Sequence, residues 1–168
     1  MKILVTAASK HGATAEIGEA IGKELETGGM EVTVTPVQNV GSVAGFDAVV
    51  LGSAVYLGRW MKPARELVAR ESSGLRSVPV WLFSSGPVGK AVSNPDPGDR
   101  RQGDEIKEKI GARDHRLFAG KLDSSRLSVL ERAPVRMAKL PDGDFRPWEE
   151  IIAWAASITE SLQSAPAP

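Results

Sequence analysis

The sequence of 168 residues contains no cysteine. That excludes disulfides, thiolate zinc sites, cysteine-ligated iron–sulfur clusters and any thiol nucleophile. Two histidines leave little material for a histidine-rich metal centre. Neither sign of charge is in excess: 21 Lys and Arg face 21 Asp and Glu, for a formal net charge of zero. A protein that coats nucleic acid needs a basic surplus, so no nucleic-acid partner is expected. No run approaches the roughly 18 apolar residues of a membrane helix. The opening, Met1 to Thr6, has too short an apolar stretch for a signal peptide, and a cytoplasmic location is expected.

What is present is the profile of one folded domain, with 42% apolar and 25% charged residues. We expect a single domain over residues 1–162 and a disordered tail over 163–168. Strand and helix patterns alternate along it. Lys2 to Thr6 is an almost continuous apolar run, the mark of a strand buried on both faces. A helical pattern built on Ile17, Ala20, Ile21 and Leu25 follows and stops at Gly28-Gly29. Glu31 to Thr35 alternates as a second strand, and Phe46 to Ser53 forms a third. A loop over Ala54 to Arg59 leads to a helix from Met61 to Arg70, with Pro63 in its first turn. Val78 to Ser84 is the fourth strand, followed by the loop Ser85 to Gly89 and a Pro/Asp/Gly turn cluster, Asn94 to Gly98. A charged helix over Arg101 to Ile110 precedes a short fifth strand, Arg116 to Ala119. The last helix reads from Asp144 as cap and Pro147 in its first turn. Trp148, Ile151, Ile152, Ala155, Ile158 and Leu162 fall on one face of it. This alternation specifies a parallel sheet with helices on both faces, and five strands in this length fit an α/β doubly wound three-layer sandwich with a five-stranded parallel sheet of order 2-1-3-4-5.

Ligands on such sheets bind outside the carboxyl ends of the strands, where the strand order reverses. Three loops converge there. Ser9-Lys10-His11-Gly12-Ala13-Thr14 is small and polar and opens a helix. Helix-terminal amides with serine and threonine hydroxyls can cradle a phosphate. The loop lacks the spacing of nucleotide-hydrolysing or dinucleotide-binding loops, and it reads equally as a plain helix cap with a glycine turn. Lys10 reads equally as a phosphate counter-charge or a solvated loop residue, and His11 as a polar turn residue. The other two loops begin at Ser53 and Ser84, where small residues let backbone approach a flat ligand. Tyr56 and Trp60 stay open between ligand contact and core. His115 is expected on the surface, and Trp148 and Trp154 in the core. No acid or base residue stands out.

The runs Ile3 to Thr14, Phe46 to Ser53 and Val80 to Pro87 together resemble the three flavin loops of the flavodoxin family. More narrowly, the chain resembles its menaquinone-dependent protoporphyrinogen dehydrogenase branch. That likeness rests on Ser9 to Thr14, on Gly52-Ser53, on Phe118 to Leu122 with a basic segment after it, and on Asp144 to Trp148. The resemblance implies FMN as cofactor. Its phosphate would be held by Ser9, Lys10, His11, Gly12, Ala13 and Thr14. Its ring would lie between Ser53, Ala54, Val55 and Tyr56 on one side and Ser84, Ser85, Gly86, Pro87, Val88 and Gly89 on the other. The implied activity is an FMN-dependent oxidoreductase passing electrons from a small-molecule substrate to a quinone. The alternatives are a flavodoxin-type electron carrier, and a deazaflavin-binding or non-catalytic relative. Electron carriers of this fold are usually strongly acidic, which the zero net charge does not match. The segment Lys121 to Leu140 carries Lys121, Arg126, Arg132, Arg136 and Lys139, with Leu127, Leu130, Ala133 and Met137 at helical spacing around Pro134. It reads either as a solvated basic face or as a peripheral contact with an anionic membrane or acidic substrate.

Overall fold

A computed structural model of the chain describes residues 1–86, 97–137 and 139–164. Its centre is a parallel sheet of β1 (Lys2–Ala8), β2 (Glu31–Pro36), β3 (Ala48–Tyr56), β5 (Val80–Ser85) and β6 (Asp114–Phe118), in the order β2-β1-β3-β5-β6. The expected order of five parallel strands is therefore observed. A short strand, β4 (Arg59–Trp60), adds antiparallel to the end of β3.

The continuous apolar runs follow from burial on both faces. Side chains alternate across a strand with period two. Ile3, Val5, Ala48, Val50, Trp81 and Phe83 therefore enter one core, beneath α1 (Ala13–Thr27) and α6 (Trp148–Gln163). Leu4, Val49, Leu51, Val80 and Leu82 enter the other. That second core lies beneath α2 (Lys62–Arg70), α3 (Ser72–Ser77) and α4 (Pro97–Ile110). β2 and β6 are the edge strands, and four of the six residues of β2 are exposed.

Several local expectations are corrected. The loop placed over residues 54–59 is instead the end of β3, a two-residue turn and β4, because Tyr56 pairs with Arg59 and Val55 with Trp60. Asp144 does not cap α6. Its carboxylate accepts from the backbone and guanidinium of Arg146 instead, and Pro147 takes the cap position. Trp148 and Ile152 lie on the outer side of α6, and Trp154 fills the core in their place. The segment after β6 leaves and returns through an antiparallel ribbon, β7 (Lys121–Leu122) with β8 (Gly143–Asp144). Between them, α5 (Val129–Met137) continues through Pro134. Val129, Leu130 and Met137 on α5 are exposed, and an open hollow of about 390 Å³ lies among Ser124, Ser125, Arg132, Val135 and Arg136. Residues 165–168, most of the expected tail, lie outside the described residues.

No helix among the described residues is long and apolar enough to cross a membrane.

Candidate functional site

Parallel pairing in register brings Ala8, Ser53 and Ser84 side by side at the carboxyl ends of β1, β3 and β5. The loops that leave these strands therefore meet at one edge. The first turns sharply at Gly12, whose φ of +90° lies in the left-handed region that glycine occupies without steric cost. A side-chain carbon there would meet nothing within 4 Å. The Gly12 amide donates to Ser9 Oγ at 3.1 Å, and Gly12 carbonyl oxygen accepts the first helical bond, from Glu16 at 3.0 Å. α1 thus begins at Ala13. Its first-turn amides have no partner inside the helix and point outward, and the helix dipole makes that end positive. Thr14 is buried in the same turn.

Arg146 braces this turn, a role its local sequence does not signal. Its side chain is 3% exposed. It donates to Ala13 carbonyl oxygen at 3.1 Å, to Glu16 at 2.6 Å and to Asp144 at 2.6 Å. The hydrogen bond to Asp144, and then that to Glu16, hold the guanidinium firmly charged against the cost of burial. It also stacks over Trp148 at 4.5 Å. Arg146 and Glu16 stand 130 positions apart in the chain, so local pattern alone carries no signal for their pairing.

Lys10 and His11 point to a carboxylate on α5, in the insert between β7 and β8. Glu131 Oε1 lies 2.5 Å from Lys10 Nζ and 3.2 Å from His11 Nε2. Arg126 adds a bond to His11 carbonyl oxygen at 3.3 Å. The hydrogen bond from Lys10, with two more from Ser128, holds the Glu131 carboxyl far below the usual carboxylate range. The bond to Glu131 in turn raises Lys10 above the ordinary lysine value. Tyr56, at the end of β3, interacts electrostatically with both groups, and partial burial raises its phenol. The hairpin tip beyond Tyr56 is the turn Leu57–Gly58, both at positive φ, with Leu57 fully exposed.

The two strand-end serines face inward. Ser53 Oγ donates to Ala54 carbonyl oxygen at 2.8 Å and accepts from the Met61 amide at 2.9 Å. Ser84 Oγ accepts from Trp60 Nε1 at 2.8 Å and lies 2.8 Å from His115 Nε2. Both serines are fully buried. Ala54 and Ser85 are also buried, Val55 and Gly86 are partly exposed, and Tyr56 is exposed. Pro87, Val88 and Gly89 lie outside the described residues.

His115 is not a surface residue. It is 2% exposed, and its Nδ1 lies 2.7 Å from Asp104 Oδ1. Trp60 is likewise core, with its ring edge against the His115 ring. The neutral tautomer satisfies every partner: Nδ1–H donates to Asp104, and Nε2 accepts the Ser84 hydroxyl proton. Burial holds the imidazole below its usual value, and Asp104 opposes this only in part. The contact order Ser–His–Asp is that of a hydrolytic triad. Ser84 nevertheless lies within β5 with no exposed surface, so the set is a buried packing network and not a reachable nucleophile. One sequence signal could have found it: Gly103, a lone glycine inside a helical pattern. A carbon added there would lie 2.2 Å from the His115 ring.

What the edge offers is therefore a glycine turn, free helix-terminal donors, one lysine and a phenol, backed by a buried arginine. No group of three or more His, Cys, Asp or Glu among the described residues could hold a metal ion. This is the chemistry of an anion cradle beside a broad sheet edge.

No curated protein matches the sequence. Solved structures do match. An archaeal flavodoxin is 17% identical, with a TM-score of 0.64 over 97% of this chain and 99% of its own. A point mutant of the flavodoxin from Pseudomonas aeruginosa is 17% identical, with a TM-score of 0.62 over 98% and 100%. The rubredoxin oxygen:oxidoreductase of Desulfovibrio gigas is 13% identical, with a TM-score of 0.65. It covers 97% of this chain but only 36% of that one. At these identities the likeness establishes the fold. The family model described as Flavodoxin domain matches residues 4–146, from β1 through the loop over residues 9–14 to Arg146. With most of its length matched, the chain belongs to the flavodoxin-domain family.

Proposed function

We propose that this protein binds FMN at the β1–β3–β5 edge and works as an oxidoreductase. The observation that carries the proposal is the loop over residues 9–14. Its left-handed glycine, outward helix-terminal amides and lysine stand together at the strand-order switch point. The donors suit a phosphate monoester. Ser9, Lys10, Ala13 and Thr14 would hold it, with the Gly12 amide already engaged by Ser9. The ring would lie along Val55, Tyr56 and Gly86, the strand-end residues that keep exposed surface. When bound, FMN supplies two-electron and one-electron transfer at its ring. The protein's share is to hold the phosphate, limit water at the ring and leave one face reachable.

The finer reading is a protoporphyrinogen dehydrogenase-like enzyme that hands electrons to a quinone, rather than a shuttle without a substrate. It is supported by the zero net charge, which suits no strongly basic docking partner, and by the basic, apolar insert beside the phosphate loop.

The test is flavin retention. Protein mixed with FMN and dialysed should keep a yellow flavin spectrum. Thr14→Ala should weaken FMN by at least about tenfold, the scale of one hydrogen bond to a charged group. Riboflavin affinity should not change, because riboflavin has no phosphate. A chain that retains no flavin sinks the proposal. Anaerobic bleaching by protoporphyrinogen, followed by recovery with a menaquinone analogue, separates the enzyme from the carrier. A flavin that protoporphyrinogen leaves oxidised assigns the carrier.

A further inference from the structure

Glu131 does two jobs with its two carboxylate oxygens. Oε2 accepts from the Ser128 amide at 2.8 Å, and the Glu131 amide donates back to Ser128 Oγ at 3.4 Å. That reciprocal pair is a capping box, and it starts α5. Oε1 is turned the other way, onto Lys10 and His11. The cap needs only an acceptor, which an amide side chain also supplies. The second contact depends on charge. It places a carboxylate on the only lysine of a loop whose other donors are built for an anion.

We propose that Glu131 is an internal counter-anion of the phosphate loop, and that an anionic ligand binds by exchanging with it. This rests on the reading of residues 9–14 as a phosphate loop. A phosphate held by the first turn of α1 and the Glu131 carboxylate would compete for Lys10 and would repel each other at such a separation. Ligand entry therefore releases Oε1, while Oε2 keeps its cap. The Arg126 bond to His11 carbonyl oxygen, the second tether between insert and loop, is loosened with it. α5 carries exposed Val129, Leu130 and Met137, so occupancy of the loop is transmitted to a helix that presents apolar side chains outward. Glu131 stays ionised throughout the physiological range, so its own titration does not drive the exchange, which answers to the ligand and to salt.

The test compares FMN and riboflavin on the full chain and on Glu131→Gln. The substitution keeps the cap and removes the charge. It should tighten FMN roughly two- to fivefold, the range for exposed ion pairs, and leave riboflavin unchanged. Amide hydrogen exchange over residues 124–137 should quicken in wild type when FMN is added, and less so in the variant. Equal or weaker FMN binding by Glu131→Gln overturns the exchange and makes Glu131 a support for Lys10, while the flavin assignment stands. A protein that takes up FMN in neither form loses both.

Discussion

The Ser84 hydroxyl, the His115 ring and the Asp104 carboxylate are joined through contacts of 2.8 and 2.7 Å, with the Trp60 indole on the serine. Each group has a fixed donor or acceptor role only while the imidazole is neutral. Asp104 shows the same coupling: burial works to raise it, but the hydrogen bond and charge of His115, then Arg100, leave it below its usual value. Arg100 and Asp114 also bear on the ring, in opposite senses. The consequence for stability has a definite sign. An unfolded histidine takes up a proton below about pH 6.5, and the folded one, depressed by burial, resists. The unfolded state then binds more protons, so stability falls as pH drops through that value toward the folded one. The fall can reach at most about 1.4 kcal/mol per pH unit for one proton. Urea denaturation between pH 7.5 and 5.5 should show this loss, and His115→Leu should flatten the slope. An unchanged slope in the variant would assign the acid sensitivity to another group.

Helix α4 is shaped around that ring. A glycine inside a helix ordinarily costs about 1 kcal/mol relative to alanine. At Gly103 the relation reverses, because the new carbon would overlap the His115 ring, which cannot swing away from Ser84 and Asp104. Gly103→Ala should therefore destabilise by about 1–3 kcal/mol, the usual range for overpacking. On a His115→Ala background the same change should become neutral or stabilising, and a thermal or urea double-mutant cycle reads the difference. Additive effects would mean that the ring and the helix do not constrain each other. The β3–β4 turn carries the opposite kind of local conflict. Leu57 adopts a φ of +51°, a region bulky residues avoid, on a fully exposed side chain. The pairing of Tyr56 with Arg59 over a two-residue connection imposes that conformation.

The two cores share one sheet and have no interface of their own to part along. Trp154 lies in the core under α1 and α6, and Trp60 in the core under α2 to α4. Every central strand contributes alternate residues to both. Loss of one face therefore exposes the sheet that the other needs. Tryptophan fluorescence from single-tryptophan chains that retain Trp60 or Trp154 should give the same denaturation midpoint as far-ultraviolet circular dichroism. Separate midpoints would show that the faces unfold independently. The insert between β7 and β8 stands apart from this unit, since its helix contributes no buried residue.

Period-two alternation, helical spacing and the glycine and proline stops are local, and they mark five strands and the loops between them; the strand order, and with it the meeting of three loops at one edge, comes with the doubly wound class. The polar loop over residues 9–14 was legible for the same reason, since glycine turn and helix start are neighbours in the chain. Strand ends were read less well. Ser53 and Ser84 look like loop serines in sequence, yet β3 and β5 run past them because pairing partners on each side extend the ladder. His115 reads as a surface residue because it lies just before the strand expected over Arg116 to Ala119, and only the packing of α4, β5 and Trp60 around it buries the ring. Arg146 meets Glu16 and Glu131 meets Lys10 across more than a hundred residues. Such contacts depend on how the chain closes in space, and no local period encodes them.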